Sequence, residues 1–190
     1  MWKTGLGSAR GPGQGRGMAK SLLIVWHSRT GGAEAMACAA ADAARDAGAE
    51  GQGDGSDPCQ IVLRRANEAT ADDVLAADGY LFVCPENLAA ISGEMKEFFD
   101  RSYYAVLGRI EGRPYAVMVC AGSDGENALR QIDRIATGWR LKKIADGLII
   151  CTHAQTGEAI LAEKTIGESD LEACRERGAA LAAGLSLGVF

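Results

Sequence analysis

The feature that most constrains this chain is a beat. Short apolar runs alternate with stretches of helical pattern, and each run is bounded by turn residues. Leu22 to Trp26 is followed by an alanine-rich helix from about Gly32 to Ala47, with Gly48 as its stop. Gly51 to Pro58 reads as a loop, and Gln60 to Arg64 as a second strand. Thr70-Ala71-Asp72-Asp73 has the hydroxyl-then-acid pattern that caps a short helix. Tyr80 to Cys84 is a third strand, ending at Pro85, and a helix follows from about Ser92 with Met95, Phe98 and Phe99 on one side. Tyr115 to Cys120 precedes a helix over Glu126 to Thr137, and Leu148 to Thr152 precedes a last helix over about Ser169 to Ala183. Strands separated by helices pair in parallel, because a parallel connection needs a crossover. The first, third and fourth runs are apolar throughout, as strands covered on both faces are. The second is polar at its ends and reads as an edge. The expectation is an α/β fold: a five-stranded parallel sheet of order 2-1-3-4-5 between two helical layers.

Residues 18–190 suffice for one such domain. Residues 1–17, MWKTGLGSARGPGQGRG, are rich in glycine and poor in apolar residues. They read as a disordered lead or a start-site artefact, with Met18 a sensible start. A formal charge of −5 argues against nonspecific nucleic-acid binding. No apolar stretch is long enough to span a bilayer. The six cysteines, at 38, 59, 84, 120, 151 and 174, have no metal-ligand spacing. They read as small buried hydrophobes in a reduced, cytoplasmic setting.

In a sheet of this order, ligands sit at the carboxyl ends of the strands where the order reverses, between the first and third strands. The loop leaving the first strand is Ser28-Arg29-Thr30-Gly31-Gly32-Ala33. Two hydroxyls, a cation and two glycines at a helix N-terminus make a phosphate cradle. A plain helix cap is the alternative, but one cap does not explain two hydroxyls and two glycines. The chain lacks a P-loop Gly-Lys-Ser/Thr, a GxGxxG, a Cys-x5-Arg after the first strand and an Asp ending the first or third strand. Elimination leaves a mononucleotide held at its terminal phosphate.

HSRTGGAEAMA resembles the FMN-phosphate loop of the flavodoxin-like superfamily, Ser/Thr-x-Thr-Gly-x-Thr. Ser28, Thr30 and Gly31 match the pattern, and Ala33 departs from it where Thr is usual. ADGYLFVCPENLAAISGEMKEFFDR is similar to a segment of the NAD(P)H:quinone and FMN reductase branch. The loop after its proline lies along the isoalloxazine ring, which implies that role for Pro85, Glu86, Asn87, Leu88 and Ala89. CAGSDGENALRQI resembles the loop leaving the fourth strand, which brings Ala121, Gly122 and Ser123 to the ring's far side. The resemblance spans about residues 20 to 183. It implies a flavodoxin-like three-layer sandwich that binds FMN.

The activity implied is transfer of electrons from NAD(P)H to a small-molecule acceptor such as a quinone or free flavin. Two alternatives stand beside it: an electron carrier that docks on protein partners, and a flavin-binding protein without turnover. Neither ring-side loop carries an aromatic residue, which leaves a ring face open to a nicotinamide and favours the reductase. The chemistry belongs to the cofactor, so no side chain is assigned as catalytic and no metal is expected. His27, beside the phosphate loop, reads as a packing or capping residue with a flavin contact as the alternative, and His153 as a loop residue. Tyr103-Tyr104 reads as core or subunit-interface filler, which keeps a homodimer among the expected states. Glu94-Met95-Lys96-Glu97 reads as a solvated helix face with one buried Met. Arg64-Arg65 reads as surface, with NADPH's extra phosphate as the alternative contact.

Overall fold

The first strand, β1 (Ser21–Trp26), is apolar throughout because both of its faces are covered. Leu23 and Val25 enter one core with Tyr80, Phe82 and Phe99, whereas Leu22, Ile24 and Trp26 enter another with alanines of the first helix. The computed structural model describes residues 19–50 and 58–190. The expected lead at 1–17, and most of the predicted loop, lie outside the described residues.

After β1 the chain runs through α1 (Gly32–Glu50), β2 (Gln60–Arg65), α2 (Ala71–Ala76), β3 (Gly79–Asn87) and β4 (Ala90–Ile91). It continues through α3 (Gly93–Val106), β5 (Pro114–Ala121), α4 (Glu126–Gly138) and β6 (Lys142–Lys143). It ends with β7 (Leu148–Cys151), α5 (Gly157–Leu161) and α6 (Glu168–Leu187). The sheet has the expected parallel order at its centre, β2-β1-β3-β5. Ser21 pairs with Gln60, Leu22 with Gly79, and Tyr80 with Tyr115. The strand count differs from the expected five. The outer edge of β5 is shared by two pieces, β6 against Pro114-Tyr115 and β7 against Met118 to Ala121. The additional strand β4 folds back antiparallel on the end of β3.

One face of the sheet carries α1 and α6, the other α2, α3 and α4. Ala33, Met36, Ala37, Ala40, Ala41 and Ala44 recur at helical spacing and are buried. The stripe is so small that α1 and α6 meet backbone to backbone: a Cβ at Gly178 would collide with the Ala40 carbonyl. On the opposite face the rings of Phe82, Phe98, Phe99 and Trp139 pack edge to face, Phe99 and Trp139 with centroids 5.1 Å apart. The capping box read at Thr70 forms: its hydroxyl accepts the Asp73 N–H, and the Asp73 carboxylate accepts the Thr70 N–H. Tyr103 and Tyr104 are not core residues. Tyr104 turns away from the buried Phe98, Phe99 and Val106 and is largely exposed, and Tyr103, one turn after Phe99, lies at the exposed edge of that face. Among the described residues, no helix is long and apolar enough to cross a membrane.

Candidate functional site

Parallel pairing sets the carboxyl ends of β1, β3 and β5 side by side. At about 4.8 Å per strand, the three loops leaving them share roughly 10 Å of sheet edge. The order reverses between β1 and β3, so this edge is the topological switch point.

The first loop runs from Ser28 into the start of α1. Gly31 has φ +87°, a left-handed conformation that bends the chain into the helix at little cost only for glycine. The first bond into that turn, from Ala35 N–H to the Gly31 carbonyl, is 2.9 Å. The N–H groups before it, on Gly32, Ala33 and Glu34, have no intrahelical partner. They sit at the positive end of a 19-residue helix. Ser28 and Thr30 are half-buried beside them and Arg29 is exposed. The Ala33 methyl is 1 % exposed and packs in the core, so only its N–H faces the loop. Residues 28–33 contain donors and a cation but no carboxylate. The first-turn acid Glu34 lies 3.8 Å from Arg65, which offsets its charge. Unpaired donors, a left-handed glycine and two hydroxyls fit a phosphate monoester.

The floor and far wall of this cradle come from parts of the chain that sequence reasoning left out. Cys120, at the end of β5, lies under Gly32. Burial pushes its thiol up to about 11, so it is a neutral packing group, not a nucleophile. The segment between β7 and α6 crosses the loop, and the Lys164 N–H donates to the Thr30 carbonyl at 2.7 Å. The Lys164 ammonium turns back to the carbonyls of Ala159 and Ile160, at 2.7 and 3.0 Å, and to that of Ala162. The one local signal was length, since such a segment exceeds the usual connection.

His27 follows β1 directly and is buried, with Nε2 3.2 Å from the Glu94 carboxylate of α3. Its N–H donates to the Val83 carbonyl, and its Nδ1 has no partner. Burial lowers its pKa, Glu94 opposes that, and Arg29 and Arg65 add to the lowering. Arg65 stacks on Trp26 at 4.6 Å, and Arg64 lies 3.6 Å from Asp73. Met95 is buried between exposed neighbours, as expected of that helix face, although Glu94 also serves His27.

The second loop is shorter than the sequence implied. Pro85, Glu86 and Asn87 are not loop but the end of β3. Pro85 stands opposite Cys120 at the last rung of the β3–β5 ladder, where one missing N–H is tolerated. Glu86 then pairs with Ile91 and Asn87 with Ala90, so the loop proper is Leu88-Ala89. Both have positive φ, 52° and 55°, and Leu88 is fully exposed. Two left-handed residues make the tight turn that suits a two-residue hairpin, although glycine and asparagine are its usual occupants. At the third loop, Ala121 is not loop but the buried last residue of β5, paired with Cys151, while Gly122 is half-buried and Ser123 exposed. The Ala121 carbonyl accepts both the N–H and hydroxyl of Thr152, at 2.8 and 3.1 Å. A Cβ on Gly122 would stand 3.3 Å from the Ala154 carbonyl. His153, between these anchors, is exposed with φ 56°.

The sequence pattern described as NADPH-dependent FMN reductase matches residues 7–155. A protein named flavodoxin from Aquifex aeolicus (strain VF5) is 30% identical over 168 residues, covering 85% of this chain and 84% of its own length. Among solved structures, a flavodoxin from the domain Archaea superposes with a TM-score of 0.66 at 15% identity, over 87% of this chain and 98% of that one. A flavodoxin, WrbA-like protein from Agrobacterium tumefaciens gives 0.60 at 20% identity, over 90% and 99%.

Proposed function

This chain belongs to the NADPH-dependent FMN reductase family, and from that premise we propose that it is an FMN-dependent oxidoreductase passing electrons from NAD(P)H to a small-molecule acceptor such as a quinone or free flavin. When bound, the flavin supplies the electron-transfer chemistry. The chain's residues bind and orient it. The N–H groups of Gly32 and Ala33, the hydroxyls of Ser28 and Thr30, and the exposed Arg29 are the proposed phosphate contacts. The β3–β4 hairpin, from Pro85 to Ala89, borders one side of the ring site, and Ala121, Gly122 and Ser123 border the other. The N–H groups of Gly122 and Ser123 suit negative charge on a ring edge.

One observation carries the choice of a reductase. The two ring-side loops end in Leu88-Ala89 and Gly122-Ser123, with no aromatic side chain to close the ring face. That opening leaves room for a nicotinamide at the ~3–3.5 Å that reacting atoms require. The deciding experiment mixes the flavin-loaded protein with NADPH or NADH under anaerobic conditions and follows the flavin absorbance. Bleaching within seconds, reversed by a quinone, is the expected result. The 30% identical flavodoxin favours a second reading, an electron carrier that docks on proteins. Failure of both nicotinamides where a partner reductase succeeds establishes that reading instead.

A further inference from the structure

Glu86 occupies the point where the parallel ladder ends and the hairpin begins. Its Oε2 accepts the N–H of Gly125 at 2.9 Å. Gly125 opens the 13-residue helix α4, so the carboxylate meets the positive end of a helix dipole. Its Oε1 is buried and has no hydrogen-bond partner. An unpartnered buried carboxylate oxygen is costly, and its retention calls for a physical reason.

The same helix grips the hairpin twice more. Asn127 Nδ2 donates to the Ala89 carbonyl at 2.5 Å, and the Ile91 N–H donates to Gln131 Oε1 at 3.0 Å. Between these anchors lie Leu88 and Ala89, both left-handed and both of residue types that disfavour that conformation. The shape of the tip is therefore imposed by α4 and is not intrinsic to its sequence. Asn127 lies in the first turn of α4, and the contact through Glu86 reaches the cap residue itself, Gly125, where the loop from β5 ends.

We propose that Glu86 is a positioning residue of the ring site: its carboxylate fixes the β3–β4 hairpin against the β5–α4 loop and leaves a buried negative charge between them that opposes reduction of a ring held there. The proposal rests on the flavin reading given above. The spacing of the two loops determines how a flat ring is gripped, and a nearby fixed charge tunes a cofactor's electronics. The proposed phosphate donors come from β1 and α1, and the cradle shares with this linkage the strand β5, through its floor Cys120.

The test uses the full chain as wild type, Glu86→Gln and Glu86→Ala, each titrated with FMN and with riboflavin. The midpoint potential of bound FMN is measured against reference dyes. Glu86→Ala is expected to weaken both flavins by the same factor, about tenfold, as loss of a hydrogen bond to a charged group predicts. Glu86→Gln keeps an acceptor for the Gly125 N–H, so its affinities stay within about threefold of wild type. Its potential shifts to more positive values, because the charge is gone. Wild-type affinities in Glu86→Ala, a loss confined to FMN, or an unchanged potential in Glu86→Gln each overturn the proposal. If Glu86→Ala does not fold, the potential of Glu86→Gln decides alone. A wild type that binds neither flavin overturns the flavin reading and this proposal together, whereas a bound flavin indifferent to residue 86 overturns only the latter.

Discussion

Gly32→Ala tests the floor of the proposed phosphate cradle. A Cβ at this position would sit 2.7 Å from Cys120 Sγ, 3.3 Å from Lys164 Cβ and 3.5 Å from Ile166 Cδ1. The sulfur contact falls about 1 Å short of ordinary van der Waals separation. Neither partner has room to yield, because Cys120 is on an interior strand and 7 % exposed. Overpacking of this kind costs about 1–3 kcal/mol. Replacing glycine by alanine in a helix returns up to ~1 kcal/mol, so a net loss of about 1–2 kcal/mol is expected. Urea unfolding of the flavin-free protein reads it as a fall in midpoint of roughly 0.5–1 M, given an m-value of ~2 kcal/mol/M. Cys120→Ala removes the colliding sulfur, so the double variant is expected to be more stable than additivity allows, by ~1 kcal/mol. Gly31→Ala is the control. Its Cβ would meet nothing nearer than 3.7 Å, yet its φ of +87° makes alanine cost about 1–2 kcal/mol, with no rescue by Cys120→Ala. Additive effects at 32 and 120, within ~0.3 kcal/mol, refute the packing argument.

Thr30→Ala is expected to weaken FMN binding by about 1–3 kcal/mol while leaving riboflavin, which lacks the phosphate, unaffected; equal losses mark Thr30 as structural. His27 sits below its ordinary value, chiefly through burial, so the native imidazole refuses a proton that the unfolded chain accepts. Stability is thus expected to fall as pH drops below 6.5, until native His27 itself protonates. His27→Gln should flatten that part of a melting-temperature profile between about pH 7.5 and 5, and an unchanged slope counts against the assignment. Replacing Leu88-Ala89 by Asn-Gly supplies residues suited to left-handed backbone, and should raise the urea midpoint of the flavin-free protein by the equivalent of about 1–2 kcal/mol. No gain would mean that the tip is not held in that conformation.

The sheet order was legible because burial on two faces leaves apolar runs without alternation, as in Leu22 to Val25 and Leu81 to Val83. The capping box at Thr70 was legible because its chemistry is local. The end of β3 was not. Proline reads as a terminator, and only the rung it occupies opposite Cys120 makes it tolerable. β4 and β6 were invisible, each being two residues long and the latter two lysines. For the candidate site, the place of the Ser28 to Ala33 loop, between β1 and the start of α1, was legible through residue types packed into a few positions. Glu86–Gly125 and Lys164–Thr30 join residues 39 and 134 positions apart, and no local pattern encodes such pairings. Tyr104 failed as core because helix phase puts Phe98, Phe99 and Val106 inward, and Tyr103 because it falls at the edge of that face.

The backbone contact between α1 and α6 has a consequence for the order of events in biosynthesis. α1 is made early and is followed by most of the chain before Glu168–Leu187 emerges. At ~5–20 residues per second, the interval is on the order of 10 s. Until then the alanine stripe of α1, shaped to receive Gly178 and its neighbours, has no cover on that side. The nascent chain therefore carries a helix whose N-terminus is the proposed phosphate site but whose flank is unprotected, and its vulnerability to proteases and chaperones should end only when the last helix docks. Truncations within α6 are accordingly expected to act at the opposite end of the sequence, on the cradle that the first helix opens.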